Sequence, residues 1–466
     1  MGTRAVSRKK TSTQFLDPVW PPPPPPPTDA DALLSRAERR AGCDPASAVS
    51  LFDQASAAFQ AVLGVSGIQG DADTAADAWS GLGEALQRKG DALLAADDRA
   101  PDAGPATRSA AVAAATASYE AAVAAYARVP GPVAGLLPAG AGLRLDAAVH
   151  AANTLCAAVE AAGVNGSGAS CTHLNTAIAL YRGALAGEED AGVATNLADA
   201  LAQRASLLAT PDQRPAAAPS SSSIRAAFAE ADAAYAAAVA ASSSDAGDDL
   251  PGLLCNWAAS TAAAAGGLGG DPALLATAAA RFREAAAFGR GDPAPLTGLG
   301  DTLVEMAGAA ADVAGSGLPG ADPGSAALLA TALEDGYCAA LALDRRFADA
   351  HAGAGDVRLA QSRATRAAGD EGGAMRLAAE AASAYGRALA VPSTSPRSLG
   401  GWGARAEVGW NAACALALSG QGGACLALLR DLVAREPALA GEVLGDPDLA
   451  GCPAVRAWVE GERPLG

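Results

Sequence analysis

The stretch Leu296-Thr-Gly-Leu299-Gly300-Asp-Thr-Leu303 decides the fold of this chain. It reads as an apolar residue, two residues, Leu-Gly, two residues and a second apolar residue. A companion pattern, Ala278, Phe282 and Ala285, places small, aromatic and small residues on one face of an amphipathic helix. The glycine predicts a point where one helix closely approaches another. Together the two patterns predict a packed pair of helices.

The small–aromatic–small pattern recurs along the chain. Near-complete copies are Ala115-Tyr119-Ala122, Ala177-Tyr181-Ala184, Ala231-Tyr235-Ala238, Ala278-Phe282-Ala285 and Ala381-Tyr385-Ala388. Looser copies are Ala55-Phe59-Val62, Leu333-Tyr337-Ala340 and Ala424-Leu428. These copies predict the second helix of each pair, with Tyr235, Phe282 and Tyr385 among the most buried aromatic residues.

The Leu-Gly pattern interleaves with the aromatic one. Its copies are Trp79-Leu82-Gly83-Leu86, Ala194-Leu197-Ala198-Leu201, Leu254-Trp257-Ala258-Thr261, Leu296-Leu299-Gly300-Leu303, His351-Ala354-Gly355-Arg358 and Gly409-Ala412-Ala413-Leu416. Residues 143–162 are expected to form a further first helix whose register the pattern leaves open. This alternation resembles the tetratricopeptide repeat, although Tyr119 and Tyr181 are 62 residues apart and the family repeat has about 34 residues.

The resemblance implies an all-α fold, a right-handed α-solenoid of antiparallel helix pairs. About eight pairs are expected over residues 29–436, followed by a capping segment at 437–466. Residues 1–28 carry a basic start and the run Pro21 to Pro27. Such a run favours polyproline II, so we expect a disordered leader there, acting as a stiff spacer or as a docking site for proline-binding modules.

Composition limits the class of partner. The formal net charge is −17, which argues against a nucleic-acid surface, because phosphate contacts need a basic stripe. We expect no membrane span, since charge, proline or serine interrupts the long alanine runs. Eight cysteines without a C-x-x-C pair predict buried, reduced thiols in an intracellular compartment, either cytoplasm or an organelle stroma or matrix.

Enzyme signatures are absent from the sequence. There is no P-loop, no G-x-S-x-G and no H-E-x-x-H motif. The three histidines, His150, His173 and His351, lie on predicted alanine-rich helices. We therefore predict no catalytic residues, no metal site and no cofactor.

The candidate site is a peptide-binding groove lined by the first helices, as the resemblance implies. Its acidic members follow the close-packing small residue: Glu84, Asp199, Asp301 and Asp356. A second stripe carries Asn196, Asn256 and Asn411, whose amides are suited to hydrogen bonds with an extended peptide backbone. The alternative interpretation of the acidic stripe is a solvated helix face on an acidic protein.

These features predict a non-catalytic scaffold or assembly factor that binds another protein, through a basic or extended segment of that partner. The alternative is an organellar RNA-binding helical-repeat protein, which would need arginine and lysine along the groove. A third possibility is an enzyme whose polar cluster the sequence does not reveal.

Overall fold

All the regular secondary structure in the part of the chain that the computed structural model describes is helical. The described residues are 29–64, 72–98, 105–129, 145–162, 167–186, 190–210, 220–242, 250–392, 398–399 and 402–462. No strand occurs in these ranges. The predicted leader, residues 1–28, lies outside them.

Nineteen α-helices are assigned in the described ranges. They are α1 Asp29–Ala41, α2 Pro45–Gly64, α3 Ala72–Asp98, α4 Pro105–Tyr126, α5 Leu145–Ala162, α6 Ser167–Leu185, α7 Ala191–Ala209, α8 Ser221–Ser242, α9 Leu250–Gly267, α10 Pro272–Phe288, α11 Ala294–Val313, α12 Pro323–Thr331, α13 Ala339–Leu343, α14 Ala348–Ala367, α15 Glu371–Ala390, α16 Trp402–Leu418, α17 Gly422–Arg435, α18 Pro447–Ala450 and α19 Pro453–Glu462. A π-helical turn, Ala332–Cys338, joins α12 to α13, and a 3-10 turn, Pro437–Gly441, follows α17.

Helices pack in the order in which they occur, as in an α-solenoid. From α1 to α17 each helix contacts its predecessor and its successor, which makes eight consecutive pairs in the described chain, with α12, the π-helical turn and α13 acting as one second helix. The first helices, α1, α3, α5, α7, α9, α11, α14 and α16, also contact one another from pair to pair. They therefore form a continuous face. The predicted all-α fold class is confirmed.

Alanine and buried tyrosine make up the core between the helices. Tyr235 and Tyr385 are 2% and 0% exposed, and Phe282 is 5% exposed. The alanines four residues before and three residues after these rings are fully buried. Small residues let the helix axes approach, so each ring fills the space between two first helices. The predicted burial of these aromatics is confirmed.

Glycines on the first helices receive the aromatic rings. A Cβ added to Gly300 would lie 2.7 Å from the ring of Tyr337, and one added to Gly83 would lie 2.6 Å from the ring of Tyr126. The predicted close contacts at both glycines are confirmed. The ring that contacts Gly83 is that of Tyr126 and not that of Tyr119, the aromatic residue of the small–aromatic–small copy on α4. The ring of Tyr119 contacts Gly90, which lies seven residues after Gly83 on α3.

The π-helical turn explains the irregular second helix of the sixth pair. Tyr337 is preceded at four residues by the half-buried Leu333, whereas Ala332, five residues earlier, is fully buried. A π-helix closes i to i+5 hydrogen bonds. The extra residue is therefore absorbed within the turn, and the small–aromatic–small packing is kept with Ala332 in the first position.

One segment, Pro323–Leu343, is long and apolar enough to cross a membrane by length and composition alone. A packed helix of a soluble protein passes the same test, and 33% of the tested window is buried within the protein. The segment includes Tyr337, whose side chain is inserted between neighbouring first helices. The expectation of no membrane span stays a prediction.

The thiols are less buried than the sequence suggested. All eight cysteines are free, but only Cys414, Cys425 and Cys452 are buried, while Cys43 and Cys338 are exposed. The exposed pair lie at a helix end and on the outer side of the π-helical turn, where no further helix covers them in the described structure. The expectation that the cysteines are buried is therefore wrong for these two.

Candidate functional site

Of the six buried tyrosines of the second helices, Tyr126 donates to Gln87 of α3 over 3.4 Å. Each of the other five donates a shorter hydrogen bond to the first helix of its own pair. The acceptor is the residue directly after the small residue that contacts the ring. The five pairs are Tyr119–Asp91, Tyr181–Asn153, Tyr235–Asp199, Tyr337–Asp301 and Tyr385–Asp356, with oxygen–oxygen distances of 2.5 to 2.8 Å. A buried phenol needs such a partner, because an unsatisfied hydroxyl is destabilising. We call these pairs, with the asparagines described next, the polar ladder.

Asparagines of the next pair complete the polar ladder. The Nδ2 atom of Asn196 donates to Oδ1 of Asn153 over 3.1 Å. Asn256 donates to both carboxylate oxygens of Asp199 over 3.3 and 3.4 Å. Asn411 donates to Oδ1 of Asp356 over 3.1 Å in the same way. These asparagines therefore connect neighbouring pairs, in addition to any ligand they contact.

The fifth pair omits the polar ladder at all three positions. Its aromatic residue is Phe282, which has no hydroxyl, and the residue after the small Ala258 is Ala259, which has no acceptor. The position of the asparagine in the next pair is Gly298, against which Phe282 packs. Donor, acceptor and amide are thus missing together, so no buried polar group is left unsatisfied.

One predicted acidic residue, Glu84, lies outside the polar ladder. On α3 the polar ladder position is Asp91, which accepts the hydroxyl of Tyr119, and Glu84 lies seven residues earlier. Glu84 is half-buried and lies near Tyr126, where its charge helps raise the pKa of that phenol after the larger effect of burial. Sequence reasoning missed Asp91 because the Leu-Gly pattern on α3 is centred on Gly83, whereas the ring of Tyr119 contacts Gly90.

A groove of about 750 Å³ runs along three first helices, α5, α7 and α9. Three of the predicted residues, Asn196, Asp199 and Asn256, line it, together with Asn153. The remaining lining includes the small residues Ala259 and Ala263 and the polar side chain of Gln203. Glu84, Asp301, Asp356 and Asn411 are not among its lining residues.

A second group of acids lies on α11, α14 and α16. Burial, together with the nearby charges of Asp356 and Asp349, raises the pKa of Asp301 to about 6, although the hydrogen bond from Tyr337 lowers it. Desolvation also raises the pKa of Glu305, Asp349 and Asp356. Asn411 offsets part of this effect at Asp356. Asp301 has no such amide, because Gly353 occupies that position.

These raised pKa values predict how stability depends on pH. A carboxyl whose folded-state pKa exceeds its unfolded value favours folding when protonated, so the protein should gain stability as the pH falls from 7 through 6 toward 4. Replacing Asp301 with asparagine removes one of these titrating carboxyls and should therefore flatten the pH dependence. The amide oxygen still accepts the hydrogen bond from Tyr337. Thermal unfolding at pH 7 and pH 5 measures both effects. An unchanged pH dependence in the Asp301→Asn variant would contradict this prediction.

One cluster in the described chain has metal-ligand composition: Cys414, Asp446 and Asp448. Its carboxylates already have protein partners. Arg363 binds Asp448 through two nitrogens at 2.6 and 2.8 Å, and Trp410 donates to Asp446 over 3.1 Å. Burial and the neighbouring carboxylates raise the pKa of the Cys414 thiol, which disfavours the thiolate that a metal needs. The cluster fits an anchor of α18 on the solenoid better than a metal site.

Comparison with known protein families and with curated proteins finds no match. Among solved structures, the nuclear import adaptor Nro1 of S. pombe is similar over 68% of this chain and 94% of its own, at 12% identity and a TM-score of 0.38. A circular tandem repeat protein is similar over 93% of this chain and 95% of its own length, at 13% identity and a TM-score of 0.31. The structure of Naa15/Naa10 bound to HypK-THB is similar over 89% of this chain and 66% of its own, at 14% identity and a TM-score of 0.24. Scores this low carry no argument about function.

Proposed function

We propose that this protein is a non-catalytic interaction scaffold of tetratricopeptide-like repeats that holds an extended segment of a partner protein. The groove on α5, α7 and α9 is the proposed binding site. This groove recognises the segment: its amide groups form hydrogen bonds with the backbone of the segment, and its small side chains leave room for it.

The groove itself is the observation that carries this proposal. Asn153, Asn196 and Asn256 project from three successive first helices into a space of about 750 Å³. The polar ladder holds their side chains in fixed positions before any ligand arrives. Pre-organised polar groups favour binding, because less conformational entropy is lost when the ligand binds.

A basic segment is the partner chemistry that the charges favour. The chain has a net charge of −17, and Asp301, Asp349 and Asp356 lie close enough for their charges to affect one another. We propose that this acidic face attracts lysine or arginine residues of the same segment. Association should then slow as the salt concentration rises past about 0.15 M, where the screening length is about 8 Å.

Filling the groove should abolish partner binding. Ala259 is exposed and lines the groove, so the Ala259→Trp variant should occupy the space without disturbing the core. The matched control is Ala233→Trp on α8. Ala233 is exposed and lines neither the groove nor the cleft between α8, α9 and α10. The full chain and both variants are used to capture proteins from extract, with and without nuclease.

We expect the same proteins from wild type and from Ala233→Trp, and a loss of at least about tenfold with Ala259→Trp. Capture that is equal for all three proteins would rule out the groove as the binding site. Loss of every captured protein after nuclease treatment would favour the RNA-binding alternative, in which the proteins are held through RNA.

A further inference from the structure

A separate cleft lies between α8, α9 and α10, and the proposed scaffold function does not use it. It has a volume of about 250 Å³. Its floor is apolar: Phe228 and Ala264 are 6% and 4% exposed, and Leu268 and Leu274 pack beside them. Drug-sized ligands occupy cavities of roughly 300–1,000 Å³, so this cleft suits a smaller molecule.

One wall of the cleft carries a fixed arginine. The guanidinium of Arg281 lies 3.7 Å from the ring centroid of Trp257 and pairs with Asp232 through Nη2 over 2.9 Å. It also donates to the hydroxyl of Thr261. Trp257 donates its indole N–H to the same Asp232 oxygen over 2.7 Å. The side chain of Arg281 is therefore held rigidly at the cleft, with its charge balanced by Asp232.

A second arginine gives the cleft a net positive charge. Arg225 lines the opening and is exposed. Its guanidinium forms no ion pair or hydrogen bond with any residue that the structure describes. The charged residues lining the cleft are Arg225, Arg281 and Asp232. On a protein with a net charge of −17, a locally positive, apolar cleft is chemically distinct from its surroundings.

We propose that this cleft binds a small amphipathic organic anion of the medium-chain carboxylate class. The hydrocarbon chain would lie on Phe228, Leu268 and Leu274, where it leaves water. The carboxylate would lie at the opening beside Arg225, because a charge-assisted hydrogen bond to guanidinium is among the stronger polar contacts. Asp232 would not repel it strongly, since Arg281 already neutralises that charge.

The test measures octanoate binding to the full chain by isothermal titration calorimetry. Octanoate should bind, and 1-octanol, which has the same chain without the charge, should bind at least about tenfold more weakly. Ala229 is exposed and lines the cleft, so Ala229→Trp should fill it and abolish binding. Arg225→Glu should weaken binding by about tenfold or more, because it reverses the charge at the opening.

Matched controls come from the same helices. Ala226 on α8 and Arg283 on α10 are exposed and do not line the cleft. Ala226→Trp and Arg283→Glu should bind octanoate like wild type, and circular dichroism should show all four variants folded. No measurable binding at millimolar octanoate, or equal binding by wild type and Ala229→Trp, would overturn the proposal. Loss of partner capture in the Ala259→Trp variant tests the groove alone, so the two proposals fail separately.

Discussion

Replacing Gly336 with alanine should destabilise the protein by about 3 kcal/mol, at the upper end of the overpacking range. A Cβ at this position would lie 2.7 Å from the Cα and 2.9 Å from the nitrogen of Gly300, and 3.2 Å from the carbonyl oxygen of Leu296. All three atoms belong to the backbone of α11. No rotamer change can relieve the contact, so the two helices must move apart. Equilibrium urea unfolding followed by circular dichroism measures the free energy of unfolding.

Two other glycines serve as comparisons. Gly308 lies within α11 itself, and a Cβ there meets nothing within 4 Å. Gly308→Ala should be stabilising by up to about 1 kcal/mol, because glycine is a poor helix former. Gly300→Leu should be destabilising by about 1–3 kcal/mol, since its side chain would meet the ring of Tyr337. Equal effects at Gly336 and Gly308 would show that the close approach of these helices is not present in solution.

Replacing Asp356 with alanine should have the next largest effect, a loss of about 2–3 kcal/mol of unfolding free energy. Two donors would lose their acceptor: the hydroxyl of Tyr385 at 2.6 Å and the amide of Asn411 at 3.1 Å. Tyr385 is fully buried, so water cannot readily replace the carboxylate. An unsatisfied buried donor costs about 1–3 kcal/mol.

A double-mutant cycle separates this effect from the loss of the carboxylate itself. Tyr385→Phe removes the donor and should cost about 1 kcal/mol alone. Once the hydroxyl is gone, Asp356→Ala should cost clearly less than it does in wild type, because phenylalanine needs no acceptor. Phe282 beside Ala259 is the natural example of this combination. Strict additivity of the two substitutions would contradict the role assigned to the polar ladder.

The conservative substitution is a further comparison within the same experiment. Asp356→Asn keeps an oxygen that accepts from Tyr385, and Asn153 already fills this role for Tyr181. Burial raises the pKa of Asp356, so removing its charge should also relieve an unfavourable ionisation at neutral pH. We therefore expect Asp356→Asn to be close to neutral or slightly stabilising. A loss as large as that of alanine would point to the charge rather than the hydrogen bond.

The candidate site was predictable in part. Asn196, Asp199 and Asn256 were selected from their positions after or near a small residue, and they line one groove. Asn153 was missed, because the pattern gave no register for residues 143–162. The signal that could have found both Asn153 and Asp91 is the tyrosine itself. A buried Tyr hydroxyl needs an acceptor on its own first helix, and for five of the six tyrosines that acceptor is the residue after the small contact residue.

The sequence by itself determined the all-α class, the alternation of first and second helices and the burial of the aromatic residues. These follow from local rules: periodicity places Ala231 and Tyr235 on one face, and only a small residue such as Gly300 admits a ring against its backbone. Such patterns repeat within a few helical turns, so they can be read from short stretches of chain.

Only the tertiary structure decided how the polar residues are used. Asp199 and Asn256 are 57 residues apart, and their hydrogen bond depends on the relative position of two helix pairs. That position is set by packing between helices that are separated by unequal numbers of residues, which the periodicity of one helix does not record. Because of the same packing, Tyr119 contacts Gly90 and not Gly83. The packing also accommodates one extra residue in the π-helical turn before Tyr337. It leaves the cleft beside Arg281 open. Asn256 is predicted from its own helix to contact a ligand, and in the folded chain its side chain also forms a hydrogen bond between two helix pairs.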